Sequence, residues 1–316
     1  MNLLTYRNQG LNPLHFKEKI CLSYLSLNQQ THTREITISL INTLSTMKKI
    51  SLTLAALSLI TISIFTTSCN LFDDAICKSV EGAVESQTLD LDAFTAVDVR
   101  DEAMVYVTQG ATQEIRVDAE QEILDNLEIS VENDELVVRT KGCFRGDYTF
   151  DVFITLPASQ ALTDIEVSGA GGLFAQTPLE VADEVAFGVS GSGELEFQAN
   201  NEPTKVTVGS SGSGNSNITV TTTDTDVSIS GSGRVTLSGA SQDLEAGISG
   251  SGSLKAYDFI AKNGNISVSG SGGAEVQIVG GTLDVTISGS GTVRYKGTPG
   301  EITESITGSG RLIDEN

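Results

Sequence analysis

The sequence predicts an all-β protein whose main part is a parallel β-helix with coils of about 19–22 residues, preceded by an irregular cap of strands. Three observations support this prediction. The 316 residues include 32 glycines but only 5% aromatic residues and no Trp, so the core must be built from Val, Ile, Leu and Ala, which favours strands. A Ser-Gly-Ser-Gly element recurs at a nearly fixed period, and apolar residues stand at fixed distances on both sides of it.

The first 68 residues have the layout of an export signal. Met47 and two lysines precede the uncharged apolar run 50–65, which is followed by small residues and then by Cys69. The run is shorter than the ~20 residues that a spanning helix needs, which makes a transmembrane anchor the weaker alternative. The segment resembles a bacterial lipoprotein signal, in which Cys69 receives lipid and becomes the new N-terminus. The expected organisation is an upstream stretch 1–46 before a start at Met47, a signal peptide 47–68, a lipid-anchored linker 69–90, a strand cap 91–160 and a repeat β-helix 161–316.

The composition excludes several classes of function. A formal net charge of −22 opposes binding to nucleic acid or to a bare anionic membrane surface. Both histidines, His15 and His32, lie upstream of the expected mature chain. That chain therefore holds no Ser-His-Asp or Cys-His constellation and no His-containing metal site. We expect no cofactor and no metal, and contact with a membrane through the lipid anchor.

The cysteines predict one disulfide. Cys21 lies upstream of the expected start and Cys69 is assigned to lipid, so Cys77 and Cys143 remain as an even pair in an oxidising compartment. A bridge between them would tie the segment after the lipid anchor to the folded domain. The alternative is a pair of free buried thiols.

The repeated element occurs eight times, starting at residues 168, 190, 211, 230, 249, 269, 288 and 307. Such a period is typical of a solenoid, in which each unit buries its apolar face against its neighbours. The residues chosen to represent the repeat are Ser190, Gly191, Ser192, Gly193, Ser230, Gly231, Ser232, Gly233, Ser249, Gly250, Ser251 and Gly252. In seven of the eight units an apolar residue precedes the element and another follows its first residue by five positions. Ser210 and Ser216 hold these places in the third unit, which predicts a widened turn there.

The alternation of a strand predicts which side each repeat residue faces. If the alternation continues through the element, both glycines face the interior and both serines face outward. Inward glycines are typical of a bend where backbones approach closely. A flexible Ser-Gly linker would not need the apolar columns, and a calcium-binding β-roll would need an Asp in each turn, where this chain has Ser.

The segment before the repeats contains longer strands that alternate in the usual way. A short helix is expected over 118–126, and Asn133-Asp134 is predicted to form a turn. We expect the strands to form the first, irregular layers and to cap the solenoid, because an open edge invites aggregation. The predicted strands cover residues 94–99, 103–107, 114–118, 127–131, 135–139 and 148–156.

Several segments together resemble a known family. They are the opening strands Phe94 to Val107, the strand Val152 to Pro157, the Ser-Gly-Ser-Gly repeats and the closing Gly308 to Leu312. On these residues the chain is similar to bacterial, often Bacteroidetes-type, lipoproteins described as putative autotransporter adhesins with a head GIN domain. The resemblance implies a right-handed, single-stranded β-helix exported on a lipid anchor to the outer membrane, facing either the periplasm or the cell surface.

Carboxylates on neighbouring coils leave an enzymatic alternative open. Some β-helix proteins cleave polysaccharides with carboxylates on adjacent coils, and glycosidase chemistry needs two of them about 5 to 9 Å apart. The candidate groups are Glu194, Glu196, Asp224, Asp226, Asp243 and Glu245, with Arg234 and Lys255 one coil apart. A chain this acidic meets such spacings by chance, and we assign no catalytic residue.

The sequence therefore favours a non-enzymatic, lipid-anchored envelope protein. By resemblance it is an adhesin that presents an acidic, Ser/Thr-rich surface to a glycan or protein ligand. Polysaccharide cleavage and a purely structural role in the envelope are the alternatives, and the oligomeric state is left open.

Overall fold

The computed structural model describes residues 77–316, so the expected start at Met47, the signal peptide and the lipidation site Cys69 lie outside the described residues. Within residues 77–316 the protein is all-β, with stacked parallel coils that form a β-solenoid of about eight turns. This confirms the predicted fold class. The described part contains one short helix, α1 (Gln121–Leu124), inside the segment where a helix was expected. No helix of this part is long and apolar enough to cross a membrane.

The strands before the repeats form the covered end of the solenoid. They are β1 (Lys78–Ser79), β2 (Val84–Leu89), β3 (Ala96–Val99), β4 (Met104–Gly110), β5 (Glu114–Glu120), β6 (Leu127–Glu132), β7 (Glu135–Thr140), β8 (Phe144–Arg145) and β9 (Phe150–Pro157). Antiparallel pairs join β2 to β5, β5 to β9 and β6 to β7, while β1 and β8 form a small parallel pair. β2 lies in the segment 69–90, which was expected to be a linker, and it is instead part of the fold because all of its residues pair with β5.

Two local predictions for this region are confirmed. Asn133 and Asp134 form the turn between β6 and β7, with positive φ angles of 53° and 64°. Cys77 and Cys143 are joined by a disulfide with an S–S distance of 1.99 Å, which closes a sequence separation of 66 residues. The bridge ties the beginning of the described chain to the segment just before β8.

The eight turns follow one another after the N-terminal strands. Their strands are β10 (Leu162–Val167), β11 (Gly172–Ala175), β12 (Val181–Gly191), β13 (Glu194–Gln198), β14 (Lys205–Gly212), β15 (Asn215–Thr221), β16 (Asp224–Gly231), β17 (Arg234–Gly250), β18 (Ser253–Gly270), β19 (Gly273–Ile278), β20 (Thr282–Gly289), β21 (Thr292–Lys296), β22 (Glu301–Gly308) and β23 (Arg311–Asp314). The segments that precede the Ser-Gly bends pair from turn to turn to form one parallel ladder, called the first ladder, and the segments that follow the bends form the second ladder. The long strands β17 and β18 contribute to both ladders.

Two further layers precede these turns, and they are stacked out of chain order. In the first ladder β3 pairs with β7 on one side and β10 on the other, and in the second ladder β4 lies between β9 and β11. The coil made of β3 and β4 is therefore inserted between the coil made of β7 and β9 and the first repeat. Residues far apart in sequence become neighbours as a result.

The two glycines of each repeat occupy different positions. The first, such as Gly191, has a φ of 111°, and a Cβ atom there would lie 2.6 Å from the carbonyl oxygen of Gly169 in the preceding coil. The second, such as Gly193, is buried, and its Cβ would lie 2.5 Å from Cγ1 of Val167. The prediction that both glycines face inward is therefore wrong for the first glycine, because its left-handed backbone interrupts the alternation at the bend.

Apolar residues from both ladders fill the interior in columns that run along the solenoid. The central core column of the first ladder has nine members before the last turn, and none is more than 4% exposed. In stacking order they are Leu136, Val97, Ile165, Phe187, Val208, Val227, Ala246, Ile266 and Val285.

The third repeat keeps the same register as its neighbours. Ser210 pairs with Val189 and Ile229 of the adjacent coils, and Ser216 pairs with Leu195 and Val235. Both serines are buried, and their hydroxyl groups have no hydrogen-bond partner within residues 77–316. The predicted widened turn is therefore wrong, because the ladder pairing on both sides fixes the length of the coil.

Candidate binding groove

Three aromatic side chains form a stack on the outer face of the second ladder, near the covered end. Phe153 of β9, Tyr106 of β4 and Phe174 of β11 are register partners in three consecutive layers. The ring centroids of Tyr106 and Phe153 are 5.2 Å apart, those of Tyr106 and Phe174 are 5.7 Å apart, and the interplanar angles are 20° and 25°. Both faces of the Tyr106 ring are thus covered, so Tyr106 presents its ring edge and its hydroxyl group to the surroundings.

Two rings of the aromatic stack, those of Tyr106 and Phe153, line a surface groove of about 550 Å³. Thr108 and Thr155, register partners in adjacent layers, continue the wall two positions beyond the rings. The lining residues are Tyr106, Thr108, Glu114, Arg116, Phe153, Ile154, Thr155 and Gln176. The groove therefore combines apolar ring edges with hydroxyl, amide, carboxylate and guanidinium groups, which can form hydrogen bonds with a polar ligand.

The electrostatics of the groove favour a ligand rich in oxygen atoms. The edge of an aromatic ring carries partial positive charge, and the Arg116 guanidinium carbon lies 4.4 Å from the Phe153 centroid. Arg116 also places its Nε 3.2 Å from Oδ1 of Asp118. Burial, followed by the nearby charge of Asp151, raises the pKa of Tyr106, so its hydroxyl group stays protonated and can donate a hydrogen bond.

The outward serines of the repeats form a second surface on the first ladder. Ser230, Ser249, Ser269 and Ser288 are register partners in consecutive coils, as the alternation predicts. Between them and the next outward column lies a shallow depression of about 330 Å³, lined by hydroxyl groups, apolar side chains and the backbone of Gly247. This surface lacks the aromatic and charged groups of the groove beside the aromatic stack.

The carboxylates considered for catalysis are not gathered in either depression. Glu194 and Glu196 point outward from β13, and Lys255 is bonded to Glu275 instead of a candidate carboxylate. Asp226 forms an ion pair with Lys205, with an Nζ to Oδ2 distance of 2.7 Å. None of the six candidate carboxylates is among the residues that line the two depressions.

Sequence reasoning missed the aromatic stack. A local signal exists, because Phe153 and Tyr106 occupy outward positions of strands whose alternate residues are buried. Their contact could not be predicted, since it depends on the insertion of the β3–β4 coil between two layers that come later in the chain.

The fold and the groove define a class of protein, namely a β-solenoid with a surface groove on its flank. A family model described as "Putative auto-transporter adhesin, head GIN domain" matches residues 93–299, so the chain belongs to this family. The description of the family as an adhesin suggests a protein of the cell envelope or surface, and by name it favours a non-enzymatic role. No curated protein is significantly similar to the chain.

Solved structures share the fold at low sequence identity. A putative adhesin from Parabacteroides merdae is 22% identical with a TM-score of 0.70, covering 76% of this chain and 100% of that one. A protein from Parabacteroides distasonis, described as a putative lipid binding protein, is 22% identical with a TM-score of 0.69, covering 76% and 99%. A putative adhesin from Bacteroides fragilis is 19% identical with a TM-score of 0.57, covering 75% and 99%. At these identities the likeness establishes the fold alone.

Proposed function

We propose that the protein is an adhesin held in the cell envelope by lipid on Cys69, and that it binds glycans in the groove beside the aromatic stack. The aromatic stack is the observation that carries the glycan proposal. Ring edges, the Tyr106 hydroxyl group and Arg116 all present positive charge or hydrogen-bond donors, and Glu114 supplies an acceptor. The hydroxyl and ring oxygens of a sugar match this set.

A groove on the flank of a rigid solenoid suits recognition of a surface polymer. Its walls belong to paired strands of adjacent layers, so little order has to be gained on binding. The lipid would hold the chain at the membrane although its net charge of −22 disfavours contact with anionic headgroups.

Glycan binding is tested by titrating the purified full chain with a panel of neutral and uronic-acid polysaccharides and oligosaccharides. Phe153→Ala or Tyr106→Ala should weaken binding by about tenfold, the scale of one lost aromatic contact. Thr236→Ala is the matched control, since Thr236 occupies the same outward column as Tyr106, several coils away. Absence of any ligand in the panel, or equal binding by all variants, would overturn the glycan proposal, and release of new reducing ends would overturn the non-enzymatic role.

The lipid anchor is tested separately by intact-mass analysis of the chain expressed in a Gram-negative host. The wild-type chain should begin at Cys69 and carry the mass of acyl chains, and it should remain with the membrane fraction. Cys69→Ala should remove the acyl mass and release the protein. An unmodified Cys69 in the wild-type chain would contradict this part of the proposal.

A further inference from the structure

The last turn of the solenoid leaves two strand edges unpaired within the described residues. β22 pairs only with β20, and β23 pairs only with β21. An edge of this kind presents a row of free N–H and C=O groups, which is a template for pairing with another chain.

Apolar side chains accompany the free edge of β22. Ile302 and Ile306 are 42% and 37% exposed, although their register partners Leu283 and Ile287 are buried in the core. They lie on the core side of the strand, two positions to either side of Glu304. A flat edge with two such residues would be strongly prone to pair with a second copy of the chain.

Glu304 interrupts this pattern. It is the register partner of Val285 and therefore continues the central core column, in which every earlier member is apolar. On the second ladder Asp314 follows Tyr295 in the same way, and it accepts hydrogen bonds from Tyr295 and from the backbone N–H of Asn316.

We propose that Glu304 prevents the open end from pairing with a second copy of this chain. Antiparallel pairing of β22 about a twofold axis at Glu304 would set Ile302 of each copy against Ile306 of the other. The same arrangement would bring two Glu304 carboxylates together in a joint interior, away from water. A shift by two residues would bury Glu304 against an isoleucine. Each of these registers therefore buries an unpaired carboxylate, which opposes association.

Glu304→Val tests the proposal, and Glu301→Val is the matched control. Glu301 lies on the same strand, but its register partner Thr282 is exposed, so the control removes one charge from the outer face. Sedimentation velocity of the full chain over a hundredfold concentration range should show self-association of Glu304→Val at least about tenfold tighter than that of the wild type. The Glu301→Val variant should sediment like the wild type.

A double variant locates the new contact. Adding Ile306→Lys to Glu304→Val should restore wild-type sedimentation, because the edge again carries an inward charge. Circular dichroism should show equal strand content in all variants. The proposal is wrong if Glu304→Val sediments like the wild type, if Glu301→Val associates equally, or if Ile306→Lys does not reverse the association.

Discussion

The two ends of the solenoid differ in how they protect the apolar interior. Wherever a stack of parallel coils ends, its apolar interior and its strand edges are exposed unless something covers them. At the N-terminal end β2, β5 and β6 form antiparallel pairs, and Ile115 of β5 and Ile123 of α1 are buried there. At the C-terminal end the apolar core column of the first ladder ends in a charged residue, Glu304. The covering strands stabilise the fold, whereas the inward charge of Glu304 acts against pairing with a second copy.

The largest difference between the ends should appear in the free energy of unfolding when one isoleucine at each end is replaced by Asp. Ile115 lies between Leu89 of β2 and Ile154 of β9, so Ile115→Asp buries an unpaired carboxylate and should lower the free energy of unfolding by about 3–5 kcal/mol. Ile302→Asp replaces a residue that is 42% exposed, and should lower it by less than about 1 kcal/mol. Urea unfolding at pH 7 measures both. Equal losses would show that the C-terminal end is also covered.

An intermediate effect is expected at the bend glycines. Ala at Gly191 combines a left-handed φ with a Cβ 2.6 Å from a carbonyl oxygen, and should cost about 2–4 kcal/mol because layers on both sides fix the backbone. Gly308→Ala has similar geometry in the last turn, where the strand is paired on one side and can shift, so its cost should be about 1 kcal/mol.

Gly209→Ala serves as the control for these glycine variants. Gly209 lies within β14 without a positive φ, and a Cβ there would meet no atom closer than 3.9 Å. Its unfolding free energy should stay at or slightly above that of the wild type. A loss at Gly209 as large as that at Gly191 would contradict the assignment of strain to the bend.

The smallest effects concern how the free energy of unfolding depends on pH at one acidic residue near each end. Burial, and then the charges of Asp118 and Glu120, raise the pKa of Asp151 near the covered end. Its ionisation therefore opposes folding, and this penalty grows as the pH rises from the unfolded pKa, about 3.9, through the folded value. Asp151→Asn should increase the free energy of unfolding at pH 7 and have no effect near pH 3.

Asp314 at the open end should show the opposite sign. Hydrogen bonds from the backbone of Asn316 and from Tyr295 lower the pKa of Asp314, so its contribution to stability is present above the unfolded pKa and is lost as the pH falls through the folded value. Asp314→Asn should decrease the free energy of unfolding at pH 7, and the difference should vanish at low pH. Urea titrations at pH 7 and pH 3 measure both variants, and changes of the same sign at pH 7 would contradict this contrast.

Local patterns predicted much of the fold. Six predicted strands of the N-terminal region correspond to β3, β4, β5, β6, β7 and β9, because alternation of buried and exposed residues is a property of neighbouring positions. The number of cysteines in the expected mature chain predicted the disulfide, and the period of the Ser-Gly-Ser-Gly element predicted the coils. The helix was expected over 118–126 and is shorter, as α1, because β5 extends to Glu120.

The site was less predictable than the fold. Outward positions of Tyr106 and Phe153 were readable from alternation, but their stacking was not. Ser210 and Ser216 led to the wrong prediction of a widened turn in the third repeat. Polar residues in a core column suggest a distortion when the pairing on both sides is unknown.

The sequence by itself determined the strand pattern, the period of the coils and the pairing of Cys77 with Cys143, because each depends on local alternation or on composition. Only the tertiary structure decided which layer lies beside which. The β3–β4 coil lies between segments that come later in the chain, and this order brings the aromatic stack together. Among residues 77–316, β22 is the outermost layer of the first ladder, which places Glu304 at the end of a core column. Stacking order depends on pairings between distant segments, and a period of two or of twenty residues is the same whichever layers become neighbours.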